Sequence, residues 1–382
     1  MSVTTTRRVS PVPFAVAAGL AVADVYYASP LLATMAAEFR VEESAIGAVV
    51  TVTQVGYALG LALVAPLGDR LDRRRLVGAQ SGLMAVALLA VALAPSIGVL
   101  LVALSAVGVL AVLAQVLVAA AASLADPGDR GRVVGVVTSG IVLGILLART
   151  VAGALAEVAG WRSVYLVSAV ATLLVGAVLL RTVPHSRPSG IPYPRLVVST
   201  LRLFAEVPVL RARAALAFLV FMALNVLLAP MVLELAAHGL STGEIGLFGL
   251  AGVAGVLGAT RAGRRADQRV TLIGLLVMLV AWLPVALLPW SLAGLVVGVL
   301  LFDYGLQSVH VASQGLIYRT RPEAQSRLTA AYMLLYSAGS AVGAITATAV
   351  HAAAGWTGVS VLGAAVIATA LLLWALTRGR TP

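Results

Sequence analysis

Apolar runs of about twenty residues recur along this chain, each closed by a short break that carries most of the charge. A helix of that length crosses the roughly 30 Å hydrocarbon layer of a bilayer with its backbone hydrogen bonds satisfied internally. Read between charged breaks, the runs fall at 12–37, 44–67, 76–95, 97–123, 133–155, 163–183, 213–236, 245–262, 270–289, 291–317, 327–350 and 356–377. They predict an all-α membrane protein of twelve transmembrane helices. Composition agrees, with 61% hydrophobic residues, 11% charged and a mean hydropathy of +1.04, against roughly 25% charged in a soluble domain. Soluble enzyme folds are excluded on this ground. The absence of cysteine excludes disulfide frameworks and cysteine-bound metal centres.

The net charge of +11 comes entirely from arginine. With both termini placed in the cytoplasm, 23 of the 26 arginines fall on that side, including Arg73, Arg74, Arg75 and the group from Arg181 to Arg213. Only Arg40 and Arg162 fall in outer loops, beside Glu38, Glu42, Glu43, Glu157 and Glu244, while Arg149 lies inside a span. The positive-inside rule fixes this orientation and explains the arginine runs without nucleic acid. Arg7, Arg8 and the apolar run up to Ala23 also have the form of a cleavable signal peptide.

An internal repeat argues for retention of that segment. Residues 29–38 are echoed at 229–238, placing Pro30 over Pro230 at an offset of 200. Ile46-Gly47 meets Ile245-Gly246 at 199, Asp69 meets Asp267 at 198, and Gly160-Trp161 meets Gly355-Trp356 at 195. A slowly drifting offset is what duplication with small loop deletions produces. The expected organisation is therefore two pseudo-symmetric six-helix halves, 1–183 and 213–382, joined by a Pro-, Gly- and Arg-rich cytoplasmic linker over 184–212.

The loop Gly68-Asp69-Arg70-Leu71-Asp72-Arg73-Arg74-Arg75 resembles the signature between the second and third helices of the major facilitator superfamily, with a weaker copy from Gly263 to Arg269 that includes Asp267. Asp24 to Pro30, Thr53-Gln54 to Tyr57, Ser139 to Thr150, Gly160-Trp161-Arg162 and Asp303 to His310 resemble that superfamily's bacterial twelve-helix drug:proton antiporters and sugar-efflux permeases. The resemblance covers nearly the whole chain. It implies the major facilitator fold and transport across the bacterial inner membrane, and it implies that Gly68, Asp69, Arg70, Arg73, Arg74 and Asp267 gate the two halves. Asp69 would meet the amino end of the eleventh helix, and Arg70 or Arg73 would pair with Asp126 or Asp129. Two positions depart from the family pattern. Asp72 replaces a glycine, so the tight turn there is expected to use a residue that tolerates a left-handed backbone, and Gly144 is followed by Ile145 with Ala148-Arg149 beyond it.

An ionisable side chain near mid-bilayer costs at least about 2.5 kcal/mol, so those present are expected to face a cavity or a partner. Asp24, Arg149 and Asp303 qualify, at roughly 18, 24 and 21 Å from the inner face at 1.5 Å per residue. Arg149 is expected to reach Asp24 and leave Asp303 free to titrate, or else the Asp24–Arg149 pair is a fixed bridge. Two acids and one base favour cationic or neutral cargo. Asp303, Gln307, His310 and Gln314 recur at helical spacing on one face, read as a cavity-lining stripe with His310 sharing a proton with Asp303, or as polar glue between helices. Tyr26, Tyr27, Thr53, Gln54, Tyr57 and Asn225 are candidate substrate contacts. The matched Pro30 and Pro230 point to moving helices around a central site. The stripe Gly140, Gly144, Ala148 and its copy Gly339, Gly343, Ala347 reads as close helix packing.

No cofactor or metal is expected, because His310 lacks a second ligand at metal spacing and a chain without lysine has no P-loop. No nucleophile–base constellation suggests an enzyme. The expected activity is proton-coupled efflux of a small, partly apolar molecule by a monomeric antiporter. Import, or facilitated passage of a nutrient, on the same fold is the alternative. The partners are then substrate, protons and lipid.

Overall fold

A computed structural model describes residues 10–125, 130–183, 193–264, 267–321 and 325–380. These residues are helical almost throughout, and among them nine helices are long and apolar enough to cross a membrane. The chain begins with α1 (Val12–Tyr26), a 3-10 turn at Ser29–Leu31 and α2 (Leu32–Phe39). Pro30 lies in that turn and has no N–H to give a helical ladder. Next come α3 (Glu43–Ile46) and α4 (Ala48–Leu59), which widens into a π-turn over Gly60–Val64 before α5 (Leu67–Arg70). α6 (Arg73–Ala92), α7 (Ile97–Ala111), α8 (Leu113–Leu124), α9 (Arg130–Ala159) and α10 (Trp161–Thr182) follow.

The segment expected to be a linker holds a helix, α11 (Tyr193–Glu206), whose Thr200 and Leu203 are buried while Arg195 and Arg202 are exposed. Tyr193 donates to the carbonyl of Leu63 at 2.7 Å, inside the π-turn. Glu206 pairs with Arg321 at 2.7 Å. α12 (Pro208–Ala237) then starts five residues before the expected span and runs unbroken through Pro230, so the matched prolines interrupt only one of their two helices.

α13 (Thr242–Leu247) leads through a 3-10 turn at Phe248–Ala251 to α14 (Gly252–Arg264), followed by α15 (Gln268–Ala286), α16 (Leu292–Tyr318) and α17 (Gln325–Thr377). At 1.5 Å per residue the 53 residues of α17 would reach about 80 Å, over twice the bilayer core. Gly355, at φ 61°, breaks it between the two spans read from sequence.

The local devices repeat. Asp72 caps α6 through the amide of Arg75 at 2.9 Å, and Asp267 caps α15 through that of Val270 at 2.9 Å. Ser96 and Ser291 cap α7 and α16. Gly160 and Gly355 both take positive φ between helices, where a Cβ would be strained. Each later member stands 195 residues beyond the earlier one. This corrects two expectations. The counterpart of Asp267 is Asp72 and not Asp69. Asp72, at φ −58°, forms no left-handed turn: it is an N-cap, the position where Asp is among the strongest residues.

Small residues bring the helices together as expected. A Cβ on Gly140 or Gly144 of α9 would collide with the backbone of Ala15 or Gly19 on α1, and one on Gly339 or Gly343 of α17 with Phe218 or Met222 on α12. At the end of the bundle carrying Glu38, Arg162 donates to the carbonyls of Ala92 and Ala94 and pairs with Glu38 at 2.6 Å. Large apolar side chains such as Leu83, Val102, Leu174, Leu283 and Leu372 stand exposed on the outside, the surface a lipid-facing bundle presents.

Candidate transport chamber

Asp24 turns into the first group of helices. Its Oδ1 accepts from Ser168 Oγ at 2.5 Å, its Oδ2 has no partner, and it lines a small cavity with Ser81, Met84, Leu113 and Thr172. Tyr27 lies on the same side, edge-on to Tyr165 with centroids 6.4 Å apart. Tyr26, two residues from Asp24, is rotated about 200° round the helix and faces the other way. The expected pair of Asp24 with Arg149 is not formed, and the two are not in one chamber.

Several residues expected to touch substrate are also interior. Thr53 bonds back to the carbonyl of Val49 at 2.8 Å, and its own carbonyl packs where a Cβ on Gly108 would stand. Gln54 is buried with Oε1 unpartnered. Asn225 donates to the carbonyl of Phe221 at 3.2 Å. Thr53 and Asn225 thus bond back to their own helices, whereas Gln54 keeps a free acceptor on the same face of α4 as Thr51 and Tyr57, which reach α17.

The chamber forms where helices from both parts of the chain meet. The hydroxyl of Tyr26 on α1 hydrogen-bonds that of Tyr336 on α17. Tyr57 on α4 and Gln115 on α8 both donate to Met333 Sδ, at 4.0 and 3.7 Å. Phe221 on α12 packs against Tyr336 with centroids 3.8 Å apart. His310 packs edge-on to Phe221 and tilted against Tyr332, and shares a hydrogen bond with the Tyr332 hydroxyl at 3.1 Å, so its partner is a tyrosine and not Asp303.

Arg149 lies beside the Tyr26–Tyr336 bridge, and Asp303 on α16 lies against the same α13–α14 segment as Arg149. The Arg149 guanidinium carbon lies 5.7 Å from the centre of the Tyr26 ring, and its Nε has no hydrogen-bond partner. Arg149 also lines a small cavity with Ser29, Pro30, Leu228 and Phe248. Among the described residues the two charges close no ion pair with one another. A glycine track on the α13–α14 segment lets them approach. Cβ atoms on Gly252 and Gly255 would stand 3.5 and 3.6 Å from Asp303 Oδ2, and one on Gly249 would meet Arg149 Cβ at 2.8 Å. Gln307 packs against Gly255, while Gln314 is half-buried on the same face of α16 as Asp303 and His310.

One end of the chamber is sealed. Thr150 donates to the carbonyl of Gly246 at 3.0 Å, Gly153 meets Gly246 backbone to backbone, and Ser241 donates to Glu157 at 3.2 Å. Thr51 donates to the carbonyl of Ala341 at 2.9 Å, and Gly47 packs under Ala344 and Thr348. Toward the other end α9 follows α13 and the next turn only as far as Leu146 and Gly252, and Val142, Leu143 and Leu257 are exposed. Around the arginine loop, Gly68 packs on Val116 and Arg70 is exposed. Arg73 and Arg74 stand half-buried at the start of α6. The side chain of Asp69, with Asp126 and Asp129, lies outside the described residues.

Across residues 14–309 the sequence matches the family model described as Major Facilitator Superfamily. The chain belongs to that superfamily. It is 42% identical over 366 residues to the "Uncharacterized transporter YgaY" of Escherichia coli O157:H7, covering 94% of this chain and 93% of that protein. It is 30% identical to the "Probable transporter SCO4007" of Streptomyces coelicolor, covering 88% and 80%. A bacterial homolog of the human lysosomal transporter Spinster, solved inward-facing and occupied, superposes with a TM-score of 0.77 at 14% identity over 97% of this chain and 96% of that one. The human organic anion transporter MFSD10 superposes at 0.70 with 18% identity, covering 97% and 99%. At these identities the two structures establish the shared fold alone. This major facilitator protein is thus a multi-pass membrane transporter by family.

Sequence reasoning missed Ser168, Gln115, Phe221, Met333 and Tyr336. The available signal for the last two was Tyr332, Met333 and Tyr336 at helical spacing inside an apolar span.

Proposed function

We propose that this protein is a secondary transporter that exports a small, partly apolar molecule against proton entry by alternating access. In this reading it is a monomer in the bacterial cytoplasmic membrane, with twelve spans and both termini cytoplasmic. Its halves are 1–183 and 213–382, and α11 braces the join at 184–212. The observation that carries the proposal is that Arg149 on α9, beside the tyrosine bridge, and Asp303 on α16 lie against one glycine-lined segment without pairing with one another.

The chemistry follows from that placement. Asp303 can hold a proton or a positively charged group of the cargo, not both, so the two ions compete for one carboxylate, and such competition couples opposite fluxes. His310, two turns along the same face, supplies a second titratable group hydrogen-bonded to Tyr332. With the arginine-rich end cytoplasmic, the seal between α9 and α13 closes the outside, and the described state opens inward. Asp24 serves as a hydrogen-bonded tie from α1 to α10, and the arginine loop from Gly68 to Arg74 gates the cytoplasmic side.

Everted vesicles expressing the chain, acidified inside and offered labelled cationic, anionic, zwitterionic and neutral compounds, test this. At least one compound is expected to accumulate, and an uncoupler or Asp303→Asn abolishes the accumulation. Equilibration that ignores the uncoupler identifies a facilitator instead. No flux above that of empty-vector vesicles refutes transport of these classes.

A further inference from the structure

With Asp24 withdrawn into the first bundle, the chamber keeps one fixed anion and one fixed cation. They come from different helices, α9 and α16, lie against the same glycine-lined segment, and close no ion pair with each other. Two opposite charges in a low-dielectric site attract strongly, and leaving them apart costs free energy unless something lies between them. The glycines at 249, 252 and 255 let the α13–α14 backbone pack directly against Arg149, Leu146, Gln307 and Asp303, so these three positions offer no side chain to pair either charge. The unbonded Nε of Arg149 is a donor in search of an acceptor. The surrounding walls are apolar and aromatic: Phe221, Tyr26, Tyr57, Tyr336 and Met333.

We propose that the cargo of this chamber is a zwitterion with an apolar body, an amino-acid-like molecule whose carboxylate meets Arg149, whose ammonium meets Asp303 and whose side chain lies among the aromatic walls. The inference rests on the reading of the chamber as the transport site and narrows its substrate class. A cargo with both charges completes both half-made interactions at once, whereas a purely cationic or anionic cargo leaves one buried charge unpaired. Sites built to hydrogen-bond a group reject analogues that lack it. The tyrosine bridge beside Arg149 is a hydrogen-bonded plug that the ligand's polar end displaces on entry.

Three compounds sharing one phenyl ring separate the cases: L-phenylalanine carries both charges at pH 7, phenethylamine only the positive one and 3-phenylpropionate only the negative one. Binding to the purified full-length protein in detergent is measured by calorimetry, with thermal unfolding confirming that each variant is folded. The wild type is expected to bind phenylalanine at least about tenfold more tightly than either analogue. Arg149→Gln should move the preference to phenethylamine, and Asp303→Asn should move it to 3-phenylpropionate, a reciprocal swap that loss of stability cannot produce. A wild-type preference for either single-charge compound, no binding of phenylalanine at 10 mM, or a preference unchanged in both variants overturns the proposal. Proton-driven flux of phenethylamine in the vesicle assay would sink the zwitterion while leaving the transport reading standing; absence of any flux there would sink the transport reading itself.

Discussion

Replacing Gly153 with alanine should open the sealed end of the transporter. A Cβ at this position would stand 2.5 Å from the carbonyl oxygen of Thr242 and 2.9 Å from the Cα of Gly246, both backbone atoms that cannot swing aside. Overpacking of this kind costs about 1–3 kcal/mol. The contact exists only while α9 and α13 are together, so the cost falls on the sealed state alone. The ratio of unsealed to sealed molecules should therefore rise by roughly 5- to 150-fold. A chain without cysteine suits the assay, since a single introduced thiol reports alone. Ser29 lies beneath the seal, on the small cavity beside Arg149. Ser29→Cys should react with a membrane-impermeant maleimide applied from outside faster in the Gly153→Ala background by a factor in that range. Gly135→Ala, on the same helix with nothing within 4 Å of the added methyl, serves as control and should leave the rate unchanged. Equal rates in the two backgrounds, with unfolding temperatures alike, would refute both the seal and its state-selective energetics.

Other substitutions separate scaffold from chamber. Asp303→Asn should abolish uncoupler-sensitive accumulation in everted vesicles, whereas Asp24→Asn, which keeps an acceptor for Ser168, should retain it. Ser168→Ala leaves Asp24 without its partner and should cost about 1–3 kcal/mol, read as a lowered unfolding temperature with the substrate preference unchanged. Arg213 is buried and donates to Thr271 at 3.0 Å and Gln268 at 2.5 Å, so Arg213→Ala should destabilise by removing both bonds, with only the Trp374 bond to Gln268 Oε1 kept, measured by thermal unfolding. Tyr336→Phe removes the hydroxyl that meets Tyr26 and should speed cargo exchange across proteoliposome membranes without altering the zwitterion preference.

Much of the helical order was legible because bilayer length and charged breaks are strong one-dimensional signals. The breaks at Gly160 and Gly355 stand out for the same reason: a glycine followed by tryptophan recurs at one offset and takes positive φ at both places. α11 was missed because Pro and Gly around it masked the buried face set by Thr200 and Leu203. Asp72 was misread for a different reason. Fitting it to a family glycine asked which turn it could tolerate, while the three-residue spacing to the Arg75 amide asks only what it can cap, and capping needs no special backbone.

The chamber was harder because depth along a helix says nothing about azimuth. Asp24, Arg149 and Asp303 do lie at similar depths by count, but a difference of two residues on α1 decides between the bundle interior and the interface, and Tyr26 already occupied the interface side. Tyr26 and Asp24 were both read as chamber residues, yet one helix face cannot hold both. That exclusion was available from sequence. What was not available is which of the two positions faces inward, because Ser168, the residue that holds Asp24, sits 144 residues away on α10 and carries no mark of its role. The consequence reaches the cargo: two acids against one base favour a cation, but one against one leaves equal and opposite charges, and a ligand that satisfies both must carry both.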